Sequence, residues 1–241
     1  MRRALIVVGK APVAGSTKTR LVPPLSAEDA ADLYRGFLLD TLELAASLGW
    51  ERTSLVHPRG DGPSLTALLG PARADLVEQR REGLGNALAY AFEHHFVAGS
   101  EAAVLIGSDN PTLSREPILE AASALREDAD LTLGPTLDGG YYLIGMRQPQ
   151  PRVFEDIDWS TPRVFAQTLA RATEVGLRVR RVAEWYDVDE PADLERLTRE
   201  VAAGPATLAP HTRQVLERLR ATMPPARATS ARRQTAQRTP A

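Results

Sequence analysis

Short apolar runs alternate with longer amphipathic stretches along almost the whole chain. Residues 4–8, 53–57, 102–106, 131–134, 141–145 and 179–183 form the runs, and each predicts a β-strand. Between them apolar positions return every three or four residues, as a helix with one buried face requires. The clearest such helix opens at Ser26 with Asp29 as its capping-box partner, turns Leu33, Phe37, Leu38, Leu42 and Ala45 toward one face, and ends at Gly49. Residues 84–96, 117–125, 162–175 and 191–201 predict further helices, three of them with proline at or near the first turn, where its missing N–H does no harm.

Strand, helix, strand in repeated order predicts an α/β fold, a three-layer α/β/α sandwich around a mostly parallel sheet, with ligands beyond the carboxyl ends of the strands. Residues 1–204 form one domain in this reading, and 205–222 carry a C-terminal helix whose periodic part starts at His211. The tail, 223–241, is rich in Pro, Ala, Arg, Thr and Gln without apolar periodicity and is expected to be disordered.

Composition narrows the function. The 241 residues are 43% hydrophobic and 25% charged, enough to bury a substantial core. A net charge of -2 and a pI near 6.1 argue against a general nucleic-acid binder, whose affinity rests on excess positive charge. There is no cysteine, hence no disulfide, thiolate metal site or cysteine nucleophile. The apolar run after Met1-Arg2-Arg3 is too short for a signal peptide and no segment reaches membrane-spanning length, so a cytoplasmic protein without membrane partners is expected. His57, His94, His95 and His211 lack metal-ligand spacing and read as structural or surface residues.

The first strand feeds Val8-Gly9-Lys10-Ala11-Pro12-Val13-Ala14-Gly15-Ser16-Thr17-Lys18-Thr19-Arg20-Leu21. Small residues there let backbone N–H groups approach an anion, while Lys10, Lys18 and Arg20 neutralise charge that would repel a nucleophile. It is neither a Walker A loop, since Gly15 comes one residue late and is followed by Ser16, nor a dinucleotide fingerprint. A solvated basic surface loop is the plain alternative.

Three further constellations carry polar groups. Gly107-Ser108-Asp109-Asn110-Pro111 follows a strand and puts a carboxylate where phosphates would lie, suited to Mg²⁺ or Mn²⁺, although an Asx-turn or helix cap also fits. Trp185-Tyr186-Asp187-Val188-Asp189-Glu190-Pro191 puts Asp187 and Asp189 on one side of an extended segment. Its plain alternative is Asp189 as a helix cap with Asp187 solvated. Asp138-Gly139-Gly140-Tyr141-Tyr142 suits either a hairpin or the wall of a polar-substrate pocket, and Asp158-Trp159-Ser160-Thr161-Pro162 caps a helix.

Four ordered motifs together resemble the bacterial glycosyltransferase A-like "transferase 1" family, associated with radical-SAM and selenodomain proteins and also labelled an arsenosugar-biosynthesis family, of the nucleotide-diphospho-sugar transferase superfamily. The pattern K-x-P-x-x-G-x-x-K-T-R-L is met by Lys10 to Leu21, G-x-D-x-P by Gly107 to Pro111, D-G-G-Y-Y-L-I-G by Asp138 to Gly145, and W-S-T by Trp159 to Thr161. The segment from Asp187 to Leu194 is similar to the D-[IV]-D-T-P-x-D-L of nucleotidyltransferases in that superfamily, among them 2-phospho-lactate guanylyltransferases, with Glu190 in place of threonine. Gly83-Leu84-Gly85-Asn86-Ala87-Leu88 departs from the transferase pattern and partly matches the guanylyltransferase one.

The resemblance implies a GT-A-like fold and a metal-dependent transferase, foremost a nucleotidyltransferase joining an NTP to a small phosphorylated acceptor with release of pyrophosphate. A glycosyltransferase using an NDP-sugar is the alternative, weakened by the single carboxylate in Ser108-Asp109-Asn110-Pro111. Catalysis falls to Lys18, Arg20 and Asp109, and the metal, Mg²⁺ or Mn²⁺, to Asp109 and Asp189. Nucleotide binding falls to Gly9, Lys10, Ala11, Gly15, Thr17, Lys18, Leu84, Gly85, Asn86 and Ser108. Asn110, Asp138, Gly139, Gly140, Tyr141, Trp159, Ser160 and Thr161 would meet the second substrate.

Overall fold

Seven strands join in one sheet in the order β3-β2-β1-β4-β6-β5-β7 in a computed structural model, which describes residues 2–70, 74–80 and 82–222. The strands are β1 (Arg3–Val8), β2 (Arg52–His57), β3 (Asp75–Glu78), β4 (Ala102–Gly107), β5 (Leu131–Pro135), β6 (Tyr141–Met146) and β7 (Val179–Arg181). The helices are α1 (Ala27–Ser47), α2 (Gly62–Leu69), α3 (Leu84–Val97), α4 (Glu116–Glu127), α5 (Val164–Glu174), α6 (Pro191–Ala203) and α7 (Pro210–Thr222). Every pairing is parallel except those of β6, which runs against both β4 and β5.

That reversal decides what meets at the site. The carboxyl ends of β1, β2, β4 and β5 share one edge of the sheet with the amino end of β6: Val8 pairs with Val56 and Gly107, Ile106 with Leu143, and Pro135 with Tyr141. The chain leaves β1 toward β2 on one side while β4 lies on the other, so the crevice between the ends of β1 and β4 is a topological switch point.

Both faces of β1 and β4 are buried, which is why these segments read as unbroken apolar runs. Leu5, Val7, Val104 and Ile106 pack with Leu38, Leu42, Ile118 and Ala121 on one face; Ala4, Ile6, Ala103 and Leu105 pack with Leu88, Phe92 and Ala172 on the other. A third cluster joins Leu33 and Phe37 of α1 to Leu197 and Val201 of α6 and Leu216 and Leu219 of α7. Gly36 allows the approach of α7, since a Cβ there would lie 3.0 Å from the Thr212 backbone. The last helix is part of the packed body.

Several boundaries differ from expectation for local reasons. Ser26 is the N-cap of α1, its Oγ accepting the Asp29 N–H, as its sequence suggests. The strand expected over 179–183 stops at Arg181, although the next residue, Val182, is buried and its N–H still donates to the Leu133 carbonyl at 3.0 Å. The helix expected from 162 starts at Val164, and Asp158 does not cap it: the capping position is Arg163, while Asp158 brackets the Gln167 amide. α6 is capped by Glu190 paired with Asp193, not by Asp189. The expected disordered tail, 223–241, lies outside the described residues. Among those described, no helix is long and apolar enough to cross a membrane.

Candidate active site

The loop leaving β1 is shaped by its own hydrogen bonds. Gly9 is buried, and a Cβ there would press on Leu38, Leu55 and the Tyr34 hydroxyl at 3.1–3.2 Å. The Lys10 N–H donates to Tyr34 Oη (3.0 Å), which also pairs with Ser108 Oγ (2.8 Å). The Ala11 N–H donates to Asp61 Oδ2 (2.6 Å), and the Val13 N–H to Thr17 Oγ1 (3.1 Å). These N–H groups face the protein, so the loop offers an anion its side-chain cations rather than this stretch of backbone. The Lys10 ammonium is exposed and rests on the Ser16 carbonyl at 2.8 Å.

Lys18 is the centre of the site. Its side chain is only 5% exposed, and its Nζ lies 2.5 Å from Asp109 Oδ1 and 2.8 Å from Asp189 Oδ1. Its backbone sits at φ 49°, the left-handed region that residues with a Cβ seldom adopt. Burial pulls the ammonium pKa down, but Asp109 and then Asp189 outweigh it and hold the group above the ordinary lysine value. The Tyr34 and Phe37 rings flank it at 6.0 and 5.7 Å. Burial, with the negative charge of Asp109 behind it, pushes the Tyr34 hydroxyl up to about 12, so it stays a neutral hydrogen-bonding post.

Backbone bonds bring the two carboxylates together from distant segments. Asp109 follows β4; Asp189 precedes α6 on a strand-like extension along β5, where the Trp185 N–H donates to the Pro135 carbonyl (3.1 Å) and the Val188 N–H to the Asp109 carbonyl (3.0 Å). Their two Oδ1 atoms already share one cation, and hard carboxylate oxygens on converging segments fit Mg²⁺ or Mn²⁺. A second cluster, Asp40, Glu43 and His211, is close enough for a metal among the described residues. Its atoms are engaged otherwise: Asp40 accepts the His211 and Thr212 N–H groups (2.9 Å each), capping α7, and His211 Nε2 pairs with Glu43 at 2.8 Å.

Beyond Lys18 the cleft opens in two parts that share Val8, Leu84, Ser108 and Asp109. One, about 420 Å³, is lined by Gly9, Lys10, Thr17, Lys18 and Tyr34 among others. The other, about 530 Å³, is lined by Arg20, Asn110, Asp138, Gly140, Tyr141, Trp159, Ser160, Thr161, Asp187 and Asp189. Asp187 is mostly buried here, not solvated. Burial raises its pKa to about 7 against the 2.6 Å hydrogen bond from Asn110 Nδ2, with Asp109, Asp189 and Asp138 adding to the rise. Asn110 Oδ1 is buried without a hydrogen-bond partner among the described residues. Asp138 Oδ1 is fixed by the Thr136 hydroxyl (2.5 Å) and the Gly140 N–H (3.0 Å), and Tyr141 meets Trp159 edge to face at 6.5 Å.

Five residues expected in the site do not line either part. Ala11 and Gly15 lie back along the loop, the latter at φ +78°. Asn86 turns its amide to the Glu82 carbonyl (2.9 Å). Gly85 and Gly139 are packing glycines: a Cβ would come within 2.7 Å of the Phe154 carbonyl in one and 2.2 Å of the Pro162 carbonyl in the other. Conversely, Tyr34 and Asp61 shape the loop although nothing in its sequence points to them.

With this geometry in place, comparisons add kinship. A family model described as an uncharacterized protein conserved in bacteria (DUF2064) matches residues 41–161, half of the chain. The chain is 31% identical over 189 residues to a 2-phospho-L-lactate guanylyltransferase from Haloarcula marismortui, covering 76% of this chain and 81% of that protein. It superposes with TM-score 0.84 and 31% identity on a crystal structure from Desulfovibrio desulfuricans G20, provisionally described as a nucleotide-diphospho-sugar transferase, over 91% of this chain and 96% of that one. A manganese complex of Rv0371c from Mycobacterium tuberculosis H37Rv shares the fold at TM-score 0.51 and 17% identity, over 83% of this chain and all of that one.

Proposed function

This chain belongs to the DUF2064 family, and from that premise we propose that it is a metal-dependent nucleotidyltransferase acting on an NTP and a small phosphorylated acceptor. The observation that carries the reading is the Lys18 ammonium seated between Asp109 and Asp189 at the switch point of the sheet. An acceptor phosphate oxygen attacks the α-phosphorus, the bond from that phosphorus to the α,β-bridging oxygen breaks, and pyrophosphate leaves with the electron pair. Lys10 and Lys18 face the polyphosphate, and Arg20, at the rim of the larger part, neutralises the incoming acceptor phosphate. Asn110, Asp138 and the Tyr141–Trp159 pair orient the rest of the acceptor.

Asp109 and Asp189 are the residues that would hold Mg²⁺ or Mn²⁺. When bound, the ion withdraws charge from the phosphoryl oxygens and the leaving pyrophosphate. The guanylyltransferase named among the relatives supports nucleotidyl transfer, and the reading carries a cytoplasmic setting, where NTPs are at hand.

The second reading, transfer of a sugar from an NDP-sugar, is favoured by the likeness to the Desulfovibrio structure and by the resemblance to the radical-SAM-associated, arsenosugar-type group. A pyrophosphate assay over each NTP with pooled sugar phosphates and phospho-acids decides between them. Pyrophosphate release that requires an acceptor supports nucleotidyl transfer. Release of NDP from an NDP-sugar, with no pyrophosphate from any pair, sinks it.

A further inference from the structure

The chain has two lysines, Lys10 and Lys18, against 27 arginines. Wherever a generic cation serves, on helix faces and strand ends alike, this sequence uses arginine; lysine occurs only in the loop after β1. An ammonium is a compact point charge, whereas a guanidinium is a flat fork matched to one carboxylate at a time. Lys18 uses that difference. Its Nζ bridges oxygens from two separate carboxylates, as a small metal ion does, and the aromatic rings of Tyr34 and Phe37 close around it.

We propose that Lys18 is the resident stand-in for the divalent cation: in the free protein its ammonium pins Asp109 and Asp189 together, and it yields them when metal arrives with nucleotide. The inference rests on the assignment of the metal to those two aspartates. Both cations need the same pair of carboxylates, which are 39% and 38% exposed and so reachable from the cleft. Metal alone must displace Lys18 with no new partner for the ammonium. Metal with a triphosphate offers Lys18 phosphate oxygens in exchange, so metal and nucleotide strengthen one another's binding through this side chain. The left-handed backbone of Lys18, uncommon for a residue with a Cβ, belongs to the resting position that the ion pairs hold.

Titration of Mn²⁺ alone into the full chain, followed by electron paramagnetic resonance, tests this on wild type and on Lys18→Met, which keeps most of the side-chain length and removes the charge. The variant is expected to bind Mn²⁺ about 5- to 150-fold more tightly, the usual range for coupled ligands. Equal or weaker binding overturns the proposal. A second measurement needs no change at this position: with two lysines in the chain, lysine-selective ¹³C labelling gives two side-chain signals, assigned through Lys10→Arg. The Lys18 signal should move in step with occupancy as Mg²⁺ is added without nucleotide; a signal that stays put while calorimetry records saturation overturns the proposal. Failure of the enzymatic reading looks different. Tighter Mn²⁺ binding by Lys18→Met, in a protein that releases no pyrophosphate from any pair, keeps the lysine inference and removes nucleotidyl transfer.

Discussion

On the side that the proposed function gives to the nucleotide, the cleft wall is a loop hung from the end of a parallel strand, whereas on the side it gives to the acceptor the wall is a hairpin turn lying against the Trp159–Thr161 segment. The first wall uses its backbone N–H groups to fix its own shape, on Tyr34 and Asp61, and lines the cleft with an exposed Lys10 and a buried Lys18. The larger part of the cleft is lined by Asp138 and Asp187, its one cation among the described residues being Arg20 from the loop after β1, and Asn110 Oδ1 has no hydrogen-bond partner among the described residues. Under the proposed function one side would hold repeated negative charge and the other would hydrogen-bond. Asp109 lines both and, under that reading, would tie chemistry to recognition.

Asp109→Asn should therefore damage both sides at once. Turnover is expected to fall about 10²- to 10³-fold, the cost of losing one preorganised electrostatic group, with the fold intact by circular dichroism. A variant impaired in acceptor use alone would break the idea of a shared residue.

Gly139→Ala strikes the acceptor wall only. The new methyl forces an unfavourable φ of +90° and meets the Pro162 carbonyl, which together should cost about 2–4 kcal/mol in urea unfolding. Where the variant still folds, acceptor KM should rise while NTP affinity by calorimetry holds.

Asp138→Asn keeps the shape of the turn and removes one charge. We expect about a tenfold loss in kcat/KM, carried by acceptor KM, as for one charged hydrogen bond weakened by about 1.4 kcal/mol. An equal loss in NTP binding would contradict the division between the walls.

The smallest effect lies away from the cleft, near the far end of α3. His95 Nδ1 faces the Ala91 carbonyl (2.7 Å) and so carries the proton, leaving Nε2 to accept from Ser54 Oγ (2.8 Å). Burial lowers its pKa below the ordinary histidine value. The unfolded chain then binds a proton at higher pH than the folded one. Stability from this residue is complete above about 6.5 and declines as pH falls toward the folded value. A melting-temperature series from pH 7.5 to 5.5 should slope less in His95→Gln than in wild type.

The sequence made the first wall readable and much of the second. Lys10, Lys18 and Arg20 are neighbours in one loop, and β1 and β4 announce themselves because both faces are buried. What escaped was short or distant. α2 is eight residues long with two buried side chains, and β3 is a four-residue edge strand with one, too little for either periodicity to show. The reversal of β6 leaves no local trace beyond the Asp-Gly-Gly turn. Tyr34 reads as another apolar position of α1, and Asp61 as loop, because each acts on a segment more than twenty residues away. Asp187 takes its hydrogen bond from Asn110, 77 positions earlier, a pairing that exists only in the fold.

The turn at 136–140 joins adjacent antiparallel strands, so unlike the connections around β1 it carries no crossover helix. Its residues at 137, 138 and 140 can change without rerouting the chain, within the limits set by Gly139, which packs on Pro162 and accepts the Phe165 N–H. Under the proposed function, a new acceptor would be reached through the side chains of this turn with the loop after β1 left as it is.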